Sequence, residues 1–308
     1  MSKPVICIGA ALVDELFHAT DDLLPATTND AIVTKTAGGV SRNIAQQLSL
    51  LDVPVELISV FGNDSDADWL RKTCRDAGVG LNASITKEGL SGKYTGILNK
   101  DGSLFSAFLT NSYTHLIVQE YLNKHTDLLR TAMYIIADAN ISVATAVWLL
   151  NFSNETGIPF ILEPTSVPYV KKFSDTNFDG LYMVTPNEDE LPALCSEAAV
   201  STEKQVDELL NKNIQNVWWH SGINGSIFYS KERTLKLNAP AVNVRDCTGA
   251  GDASLSGFIL GKYLGKEDMD CLKLAHTLSA EILQVNGAIT PHLDQKTLLQ
   301  KVNQYFPD

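Results

Sequence analysis

The chain has 308 residues and a formal net charge of -12, with 44% hydrophobic and 19% charged residues. This is the composition of an ordinary globular protein, and a negative charge without a basic cluster argues against nucleic acid or an anionic membrane surface as a partner. No apolar stretch has the length that crosses a bilayer, and the first strand begins without a basic flank and long apolar core. We therefore expect a cytoplasmic protein that forms a single domain over residues 1–308.

Short apolar strands alternate with helical segments along most of the chain. The first strand ends at a glycine, and the strands are predicted at 5–8, 55–60, 133–137, 160–162, 181–184 and 216–220. Apolar residues at helical spacing predict helices at 40–51, 64–77, 143–154, 203–211, 269–285 and 293–305. This alternation predicts an α/β fold, a doubly wound and mostly parallel sheet flanked by helices.

One region interrupts the alternation with short strands and glycines. Between Ser84 and Leu109, two alternating segments flank Asp101-Gly102, a dipeptide that favours a tight hairpin turn. A hairpin inserted into such a series predicts a small β-sheet that stands off the main sheet. We interpret it as a lid, formed by roughly residues 12–36 and 84–112.

The segment from Asp246 to Asp252 reads Asp-Cys-Thr-Gly-Ala-Gly-Asp and precedes an apolar run with helical periodicity. Its two glycines let the backbone turn tightly, so the loop should open onto a helix N-terminus. Unpaired amides and the helix dipole stabilise anionic oxygen there. Asp252 is then either an ordinary first-turn residue or a general base beside an anion site, as phosphoryl transfer to an alcohol requires.

Further candidates lie near the N-terminus. Asp14 follows the first strand, and ligands bind at the carboxyl ends of strands in open α/β sheets. Its carboxylate could bind hydroxyls or be a solvated turn residue. Gly38 and Gly39 stand at a helix start, where a substrate could approach bare backbone, and Asn43 projects from the first turn.

Taken together, the motifs resemble those of the ribokinase-like carbohydrate kinases, also called the phosphofructokinase B family. They are Gly38-Gly39 with Asn43, Asn187-x-x-Glu190, Gly222-x-x-Gly225, and Asp246 to Asp252. They follow one another in the family's order and cover nearly the whole chain, so the combination is specific where each motif alone is weak. The resemblance implies an enzyme that transfers the γ-phosphoryl group of ATP to a sugar hydroxyl.

The family pattern also implies a role for each matching position. Asp252 would deprotonate the hydroxyl, and the transferring group would be stabilised by the amides of Gly249, Ala250 and Gly251. The sugar would be held by Asp14, Gly38, Gly39 and Asn43. Asn187 and Glu190 match positions near the phosphates and a hydrated Mg²⁺, which Glu190 would hold through water. The nucleotide-binding turn is matched by Ser221, Gly222 and Gly225.

Two further implications of the resemblance concern an ion and the oligomeric state. Asp246 would lie near a monovalent cation site, with K⁺ as the candidate ion. Kinases of this family often pair through their lid sheets, which implies a homodimer.

Within the family, the segments 38–43, 137–142 and 164–166 are similar to members that phosphorylate the 5′ hydroxyl of pseudouridine. This similarity implies contacts from Arg42 to the base or ribose, with a surface helix position as the alternative for Arg42. Asp138 and Asn140 could contact the base or cap the following helix. The chain departs from the common pattern at three positions. It has His220 where Thr is usual, Glu163 where Asp is usual, and Cys247 where Thr is usual.

Other functions remain open on the sequence. The shared motifs specify the reaction better than the acceptor, so a kinase of ribose, a hexose or another nucleoside is the alternative within this class. A non-catalytic nucleoside or sugar sensor is the alternative from another class, and it would need neither Asp252 nor the Gly-Ala-Gly loop. A P-loop enzyme and a dinucleotide-dependent oxidoreductase are disfavoured, because their glycine motifs are absent from the sequence.

Overall fold

The computed structural model describes residues 3–196 and 201–307. The strands within these residues are β1 (Val5–Ile8), β2 (Leu12–Ala19), β3 (Ala31–Gly38), β4 (Val55–Ile58), β5 (Val60–Phe61), β6 (Ile85–Thr86), β7 (Lys93–Leu98), β8 (Leu104–Thr110), β9 (Tyr134–Asp138), β10 (Phe160–Glu163), β11 (Met183–Val184), β12 (Asn216–His220), β13 (Ser226–Ser230) and β14 (Thr234–Leu237). The α-helices are α1 (Val40–Leu50), α2 (Ser65–Asp76), α3 (Gln119–Asn123), α4 (Thr126–Leu129), α5 (Val143–Thr156), α6 (Val167–Val170), α7 (Glu190–Leu194), α8 (Thr202–Asn211), α9 (Ala250–Tyr263), α10 (Asp268–Ile282) and α11 (Gln295–Tyr305).

The larger sheet has the strand order β14-β13-β12-β11-β10-β9-β1-β4. Neighbours from β4 to β12 are parallel, whereas β13 and β14 add an antiparallel edge. The predicted mostly parallel sheet flanked by helices is confirmed. The antiparallel edge was not predicted, because its two short strands mix polar and apolar residues without a helix between them.

Side chains of the central strands alternate between two cores. In β1, Val5 and Cys7 belong to the core that contains α1, α9 and α10, while Ile6 and Ile8 belong to the core that contains α5 and α8. All four side chains are fully buried. Because helices cover both faces of the sheet, a continuous apolar run and not an alternating one forms the strand.

A second sheet has the order β3-β2-β7-β8. β2 pairs antiparallel with β3 and parallel with β7, and β7 pairs antiparallel with β8 across the turn that holds Asp101 and Gly102. The predicted hairpin is therefore confirmed, with Gly102 at φ +85° in its turn. β6 pairs instead with β5 in a separate two-stranded sheet, so this part of the small sheet begins at Lys93 and not near residue 84. Movement of the small sheet as a lid stays a prediction.

None of the helices in the described ranges combines the length and the apolar character that crossing a bilayer requires.

Candidate active site

A cavity of about 1120 Å³ lies at the carboxyl ends of the parallel strands. Residues at or just after the ends of β1, β9, β10, β11 and β12 line it, which is the usual ligand position in an open α/β sheet. The small sheet, the loop before α9, the turn 222–225, the segment 239–244 and residues 276–283 supply further walls. The site residues predicted from the sequence that line this cavity are Asp14, Gly39, Asn43, Asn140, Asn187, Glu190, Gly222, Gly225, Gly249, Ala250, Gly251 and Asp252.

The glycine loop leads into α9 as predicted. Gly249 precedes the helix with φ +75°, and a Cβ atom at this position would lie 2.5 Å from the Cβ of Ala288. Only glycine fits such a backbone without strain. The amide of Ala250 donates a hydrogen bond to the carbonyl of Cys247 at 3.3 Å, so the turn itself uses one of the three predicted anion-binding amides. Gly251 lies in the first helical turn, where amides lack a partner within the helix.

Asp252 is buried in the first turn of α9 and lines the cavity. Its Oδ2 accepts a hydrogen bond from Nδ2 of Asn43 at 2.7 Å. Burial raises the pKa of the Asp252 carboxyl to about 7, against the opposing effects of the Asn43 hydrogen bond and the Arg42 charge. A carboxylate with a pKa near neutrality is suited to accept a proton at physiological pH.

Arg42 corrects an expectation from the sequence, because it neither contacts the cavity nor lies on the surface. It is fully buried, and its guanidinium donates hydrogen bonds to the carbonyls of Gly38 and Ala37 at 2.8 Å each. It also donates to Oδ1 of Asn43, which directs the other end of that amide toward Asp252. Arg42 therefore lies outside the cavity and holds the backbone at 37–38 and the Asn43 side chain in place.

Asp138 is also corrected from a base contact to a buried structural carboxylate. It is fully buried and does not line the cavity. Its oxygens accept hydrogen bonds from the backbone amides of Ala10 at 2.9 Å, Ser41 at 3.0 Å and Asn140 at 3.0 Å. These bonds join the ends of β1 and β9 to the start of α1. Asn140, in contrast, does line the cavity.

Asp14 lines the cavity from the small sheet, within the range 12–36 predicted for that sheet. It lies inside β2 of the small sheet and not in a turn after β1. Burial raises the pKa of Asp14 to about 6, and the charge of Arg42 opposes this shift. Gly38 lies directly beneath it, because a Cβ atom at position 38 would be 2.2 Å from the Asp14 carboxyl carbon. Gly38 thus makes room for Asp14 without lining the cavity itself.

The Asn187-x-x-Glu190 motif forms a compact turn at the start of α7. Oδ1 of Asn187 accepts a hydrogen bond from the Glu190 amide at 2.9 Å, and Oε2 of Glu190 accepts one from the Asn187 amide at 3.0 Å. Burial raises the pKa of Glu190. Both side chains line the cavity, so the motif presents a fixed carboxylate to it.

Two predicted residues near the nucleotide turn and the glycine loop do not line the cavity. Ser221 donates a hydrogen bond from its hydroxyl to Oε1 of Glu188 at 2.7 Å. Asp246 accepts hydrogen bonds from the amides of Thr248 and Gly287, both at 2.8 Å. These hydrogen bonds lower the pKa of Asp246 although its partial burial acts in the opposite direction. Asp246 thereby ties the glycine loop to the segment after α10, and a cation there stays a prediction.

Sequence reasoning gave no role to two cavity residues at neighbouring strand ends. Glu163 ends β10 and accepts a hydrogen bond from the Thr165 amide at 2.8 Å. Burial, together with the charges of Asp252 and Glu190, raises the pKa of Glu163 well above its ordinary value. Thr185 follows β11, and its buried Oγ1 has no hydrogen-bond partner among the described residues. The signals were the position of Glu163 at a strand end and of Thr185 just before Asn187.

Comparisons of sequence and structure with known proteins identify the family. A sequence model described as pfkB family carbohydrate kinase matches residues 2–296. Pseudouridine kinase of Escherichia coli strain K12 is 27% identical over 310 residues, which cover 97% of this chain and 96% of that protein. The structure of Arabidopsis thaliana ribokinase complexed with ribose and ATP superposes with a TM-score of 0.85 at 22% identity, covering 98% of this chain and 99% of the other.

A further solved structure, from E. coli and described as a ribokinase II in complex with ATP and Mg²⁺, has a TM-score of 0.84 at 17% identity and covers 99% of this chain and 100% of the other. At this level of identity the two solved structures establish the ribokinase-like fold. The family match spans nearly the whole chain and includes every motif described above. The chain therefore belongs to the pfkB family of carbohydrate kinases.

Proposed function

We propose that the protein transfers the γ-phosphoryl group of ATP to the 5′ hydroxyl of pseudouridine, which gives pseudouridine 5′-phosphate. The observation that carries this proposal is the buried Asp252 carboxylate, which faces a cavity beside a glycine loop and a helix N-terminus. The E. coli pseudouridine kinase, similar along nearly its whole length, supports the choice of acceptor.

In this proposal Asp252 takes the proton from the acceptor hydroxyl as the oxygen attacks the γ-phosphorus. Its raised pKa supports this role, because a base near neutrality combines an ionised form with a strong tendency to accept a proton. Asn43 holds the carboxylate in place through its 2.7 Å hydrogen bond. Phosphoryl transfer depends mainly on such positioning and on charge neutralisation.

The anionic end of ATP would lie at the glycine loop. Amides of Gly249 and Gly251 and the positive end of the α9 dipole are suited to stabilise charge on the transferring group. The amide of Ala250 would contribute once its bond to Cys247 opens, since that contact is long at 3.3 Å. The amides of Gly249 and Gly251 need little reorganisation, because the backbone at the start of α9 already fixes their direction.

The residues at the strand ends fit a hydrated Mg²⁺. Glu190, Glu163 and the unpaired hydroxyl of Thr185 offer oxygen atoms to the cavity, and oxygen is the ligand type that Mg²⁺ prefers. Within residues 3–196 and 201–307, no group of three or more His, Cys, Asp or Glu side chains could hold a metal by itself. Glu190 would therefore hold the ion through water, with the ATP phosphates completing its shell. Bound Mg²⁺ supplies neutralisation of phosphate charge.

The acceptor end of the cavity supports a nucleoside more than a free sugar. The small sheet contributes Leu12, Tyr94 and Leu109 in addition to Asp14, and Tyr169 faces the cavity from α6. Aromatic and aliphatic groups of this kind pack well against a planar base. Asn140 adds an amide that can pair with a base edge or a ribose hydroxyl.

A panel of acceptors tests the proposal. ADP formation is measured with pseudouridine, uridine, adenosine, ribose and fructose, and pseudouridine should give the highest kcat/KM. Uridine is the matched control, since it has the same atoms with a different glycosidic bond, and ribose lacks the base. A clear preference for ribose or fructose would replace the proposed acceptor while the kinase assignment persists.

Three other features belong to the proposal. A homodimer through the small sheet is supported by large apolar side chains exposed on it: Ile32, Val33, Leu104, Phe105 and Phe108. A K⁺ ion near Asp246 would stabilise the glycine loop that this residue anchors. A cytoplasmic location fits an enzyme that uses ATP and small metabolites.

A further inference from the structure

We propose that the nucleotide end of the cavity binds purine nucleotides with little discrimination between adenine and guanine. This inference rests on the proposed function, because it concerns the phosphoryl donor of that reaction. It predicts that GTP serves as a donor nearly as well as ATP.

Three segments of the chain form this end of the cavity. Gly225 closes the predicted nucleotide-binding turn, and a Cβ atom there would lie 2.1 Å from the carbonyl oxygen of Leu237. Thus the turn packs directly on the start of the segment 239–244. The carbonyl of Leu283, which follows α10, accepts a hydrogen bond from the Arg245 amide at 2.7 Å. The turn 222–225, the segment 239–244 and the residues 276–283 are therefore neighbours.

The side chains that these segments present to the cavity are mainly apolar. Ile223 is 90% exposed and Val244 is 52% exposed, although both are large aliphatic residues at the cavity. Pro240, Val242 and Leu283 extend the same lining. An aromatic ring placed here would cover these groups, and the contact would depend on the size of the ring and not on its hydrogen-bonding pattern.

His276 is one of two cavity-lining side chains from these segments with a hydrogen-bonding group, and the protein occupies both of its ring nitrogens. Nδ1 lies 3.3 Å from the carbonyl oxygen of Asn238, so Nδ1 must carry the proton. Nε2 lies 2.8 Å from Oγ of Ser226, and that oxygen accepts a hydrogen bond from the indole of Trp218 at 2.9 Å. The Ser226 hydroxyl therefore donates to Nε2. Burial lowers the pKa of His276, which keeps the ring neutral. No nitrogen is left to bond a base edge.

Ser279 is the other such side chain, and its hydroxyl donates a hydrogen bond to the carbonyl of Ala250 at 3.1 Å. Its oxygen can still accept a bond, either from the amino group at C6 of adenine or, with the ring turned in the site, from the amino group at C2 of guanine. Peptide groups along 239–244 offer donors and acceptors together, which can pair with either base edge. Side-chain chemistry at this end thus provides no element that rejects one purine.

Weak discrimination follows from this arrangement. Sites that pair a substrate through dedicated polar groups reject analogues by about 10⁴-fold or more, whereas apolar pockets distinguish similar shapes by roughly 10- to 200-fold. Adenine and guanine have the same ring size, so contact area does not separate them. A pyrimidine leaves part of the aliphatic lining uncovered, and CTP should be the poorer donor.

Two measurements on the full-length protein test the inference. Dissociation constants of ADP and GDP, determined by calorimetry without acceptor, should agree within about tenfold, and kcat/KM for ATP and GTP should do the same. A preference for one purine of more than about tenfold in either measurement would overturn the inference and leave the kinase proposal intact. Absence of binding by both nucleotides would overturn the proposed function as well.

A matched pair of variants tests the aliphatic lining. Ile223→Ser should weaken ADP and GDP binding by the same factor, about tenfold, because both rings lose the same contact. Val118→Ser changes another exposed aliphatic residue that does not line the cavity, and it should leave both constants unchanged. A loss confined to one nucleotide in Ile223→Ser would show that this wall distinguishes the bases, contrary to the inference.

Discussion

Asp252→Asn is expected to lower kcat by about two to four orders of magnitude, the range that general-base catalysis contributes. The variant keeps the size of the side chain and an oxygen that can accept the hydrogen bond from Asn43, so the cavity should retain its shape. It loses the negative charge, and with it the ability to take a proton. Steady-state turnover at saturating ATP and acceptor measures the loss, and calorimetry with ADP should show that nucleotide binding persists.

The matched control for this variant is Asp270→Asn. Asp270 is the third residue of α10 as Asp252 is of α9, but it is exposed and does not line the cavity. The Asp270→Asn variant should have the kcat of the wild type.

The kcat/KM of the wild type should rise with pH up to about 7, because only the ionised Asp252 accepts a proton, and Asp252→Asn should lack this dependence. Normal turnover in Asp252→Asn, together with a large loss in Glu163→Gln, would assign the base to Glu163 instead.

Gly249→Ala should both destabilise the protein and remove most of its activity. The residue has φ +75°, and an added Cβ atom would lie 2.6 Å from the Cα of Ala288 as well as 2.5 Å from its Cβ. Backbone strain of this kind costs about 1–3 kcal/mol before the clash is counted. The glycine loop must also shift away from Ala288, and such misplacement can cost about a hundredfold in rate. Urea unfolding and kcat/KM measure the two effects.

Gly251→Ala is the matched control for Gly249→Ala, because it adds a methyl group to the same loop without backbone strain. An added Cβ atom at position 251 meets no other atom within 4 Å, and its φ is outside the positive range. The free energy of unfolding should therefore be at least that of the wild type, and up to about 1 kcal/mol higher because alanine favours a helix over glycine, whatever the methyl does to phosphate binding. If Gly249→Ala proved as stable and active as the wild type, the loop would not need the left-handed backbone that the structure gives it.

Sequence patterns predicted those elements of the fold that depend on one local cause, such as burial of both faces of a strand or the conformation of a turn. The run at residues 5–8 is apolar throughout because both of its faces are buried, and the sequence predicts it as a strand of the mostly parallel sheet. The Asp101-Gly102 hairpin followed from turn chemistry alone. The antiparallel edge of the large sheet and the pairing of β5 with β6 depend on tertiary contacts, so short segments did not reveal them.

The site was predictable in its residue types and less so in its geometry. The glycine loop with Asp252 at a helix start followed from backbone physics, and the structure has this arrangement. Arg42 was not predicted to be buried, because nothing in sequence shows that carbonyls and Asn43 surround its guanidinium. Asp14 fell within the predicted small sheet, but its position inside a strand was not predicted, since an eight-residue strand with polar residues on it gives a weak pattern. The unpaired hydroxyl of Thr185 is visible only once its neighbours are placed.

The most direct test is a crystal structure of the protein with pseudouridine and an unreactive ATP analogue. In that complex the 5′ hydroxyl oxygen should lie about 2.6–3.2 Å from a carboxylate oxygen of Asp252, in line with the terminal phosphate at the start of α9. A complex in which that hydroxyl contacts no oxygen of Asp252 while the phosphates occupy the glycine loop would contradict the role of Asp252 as the base.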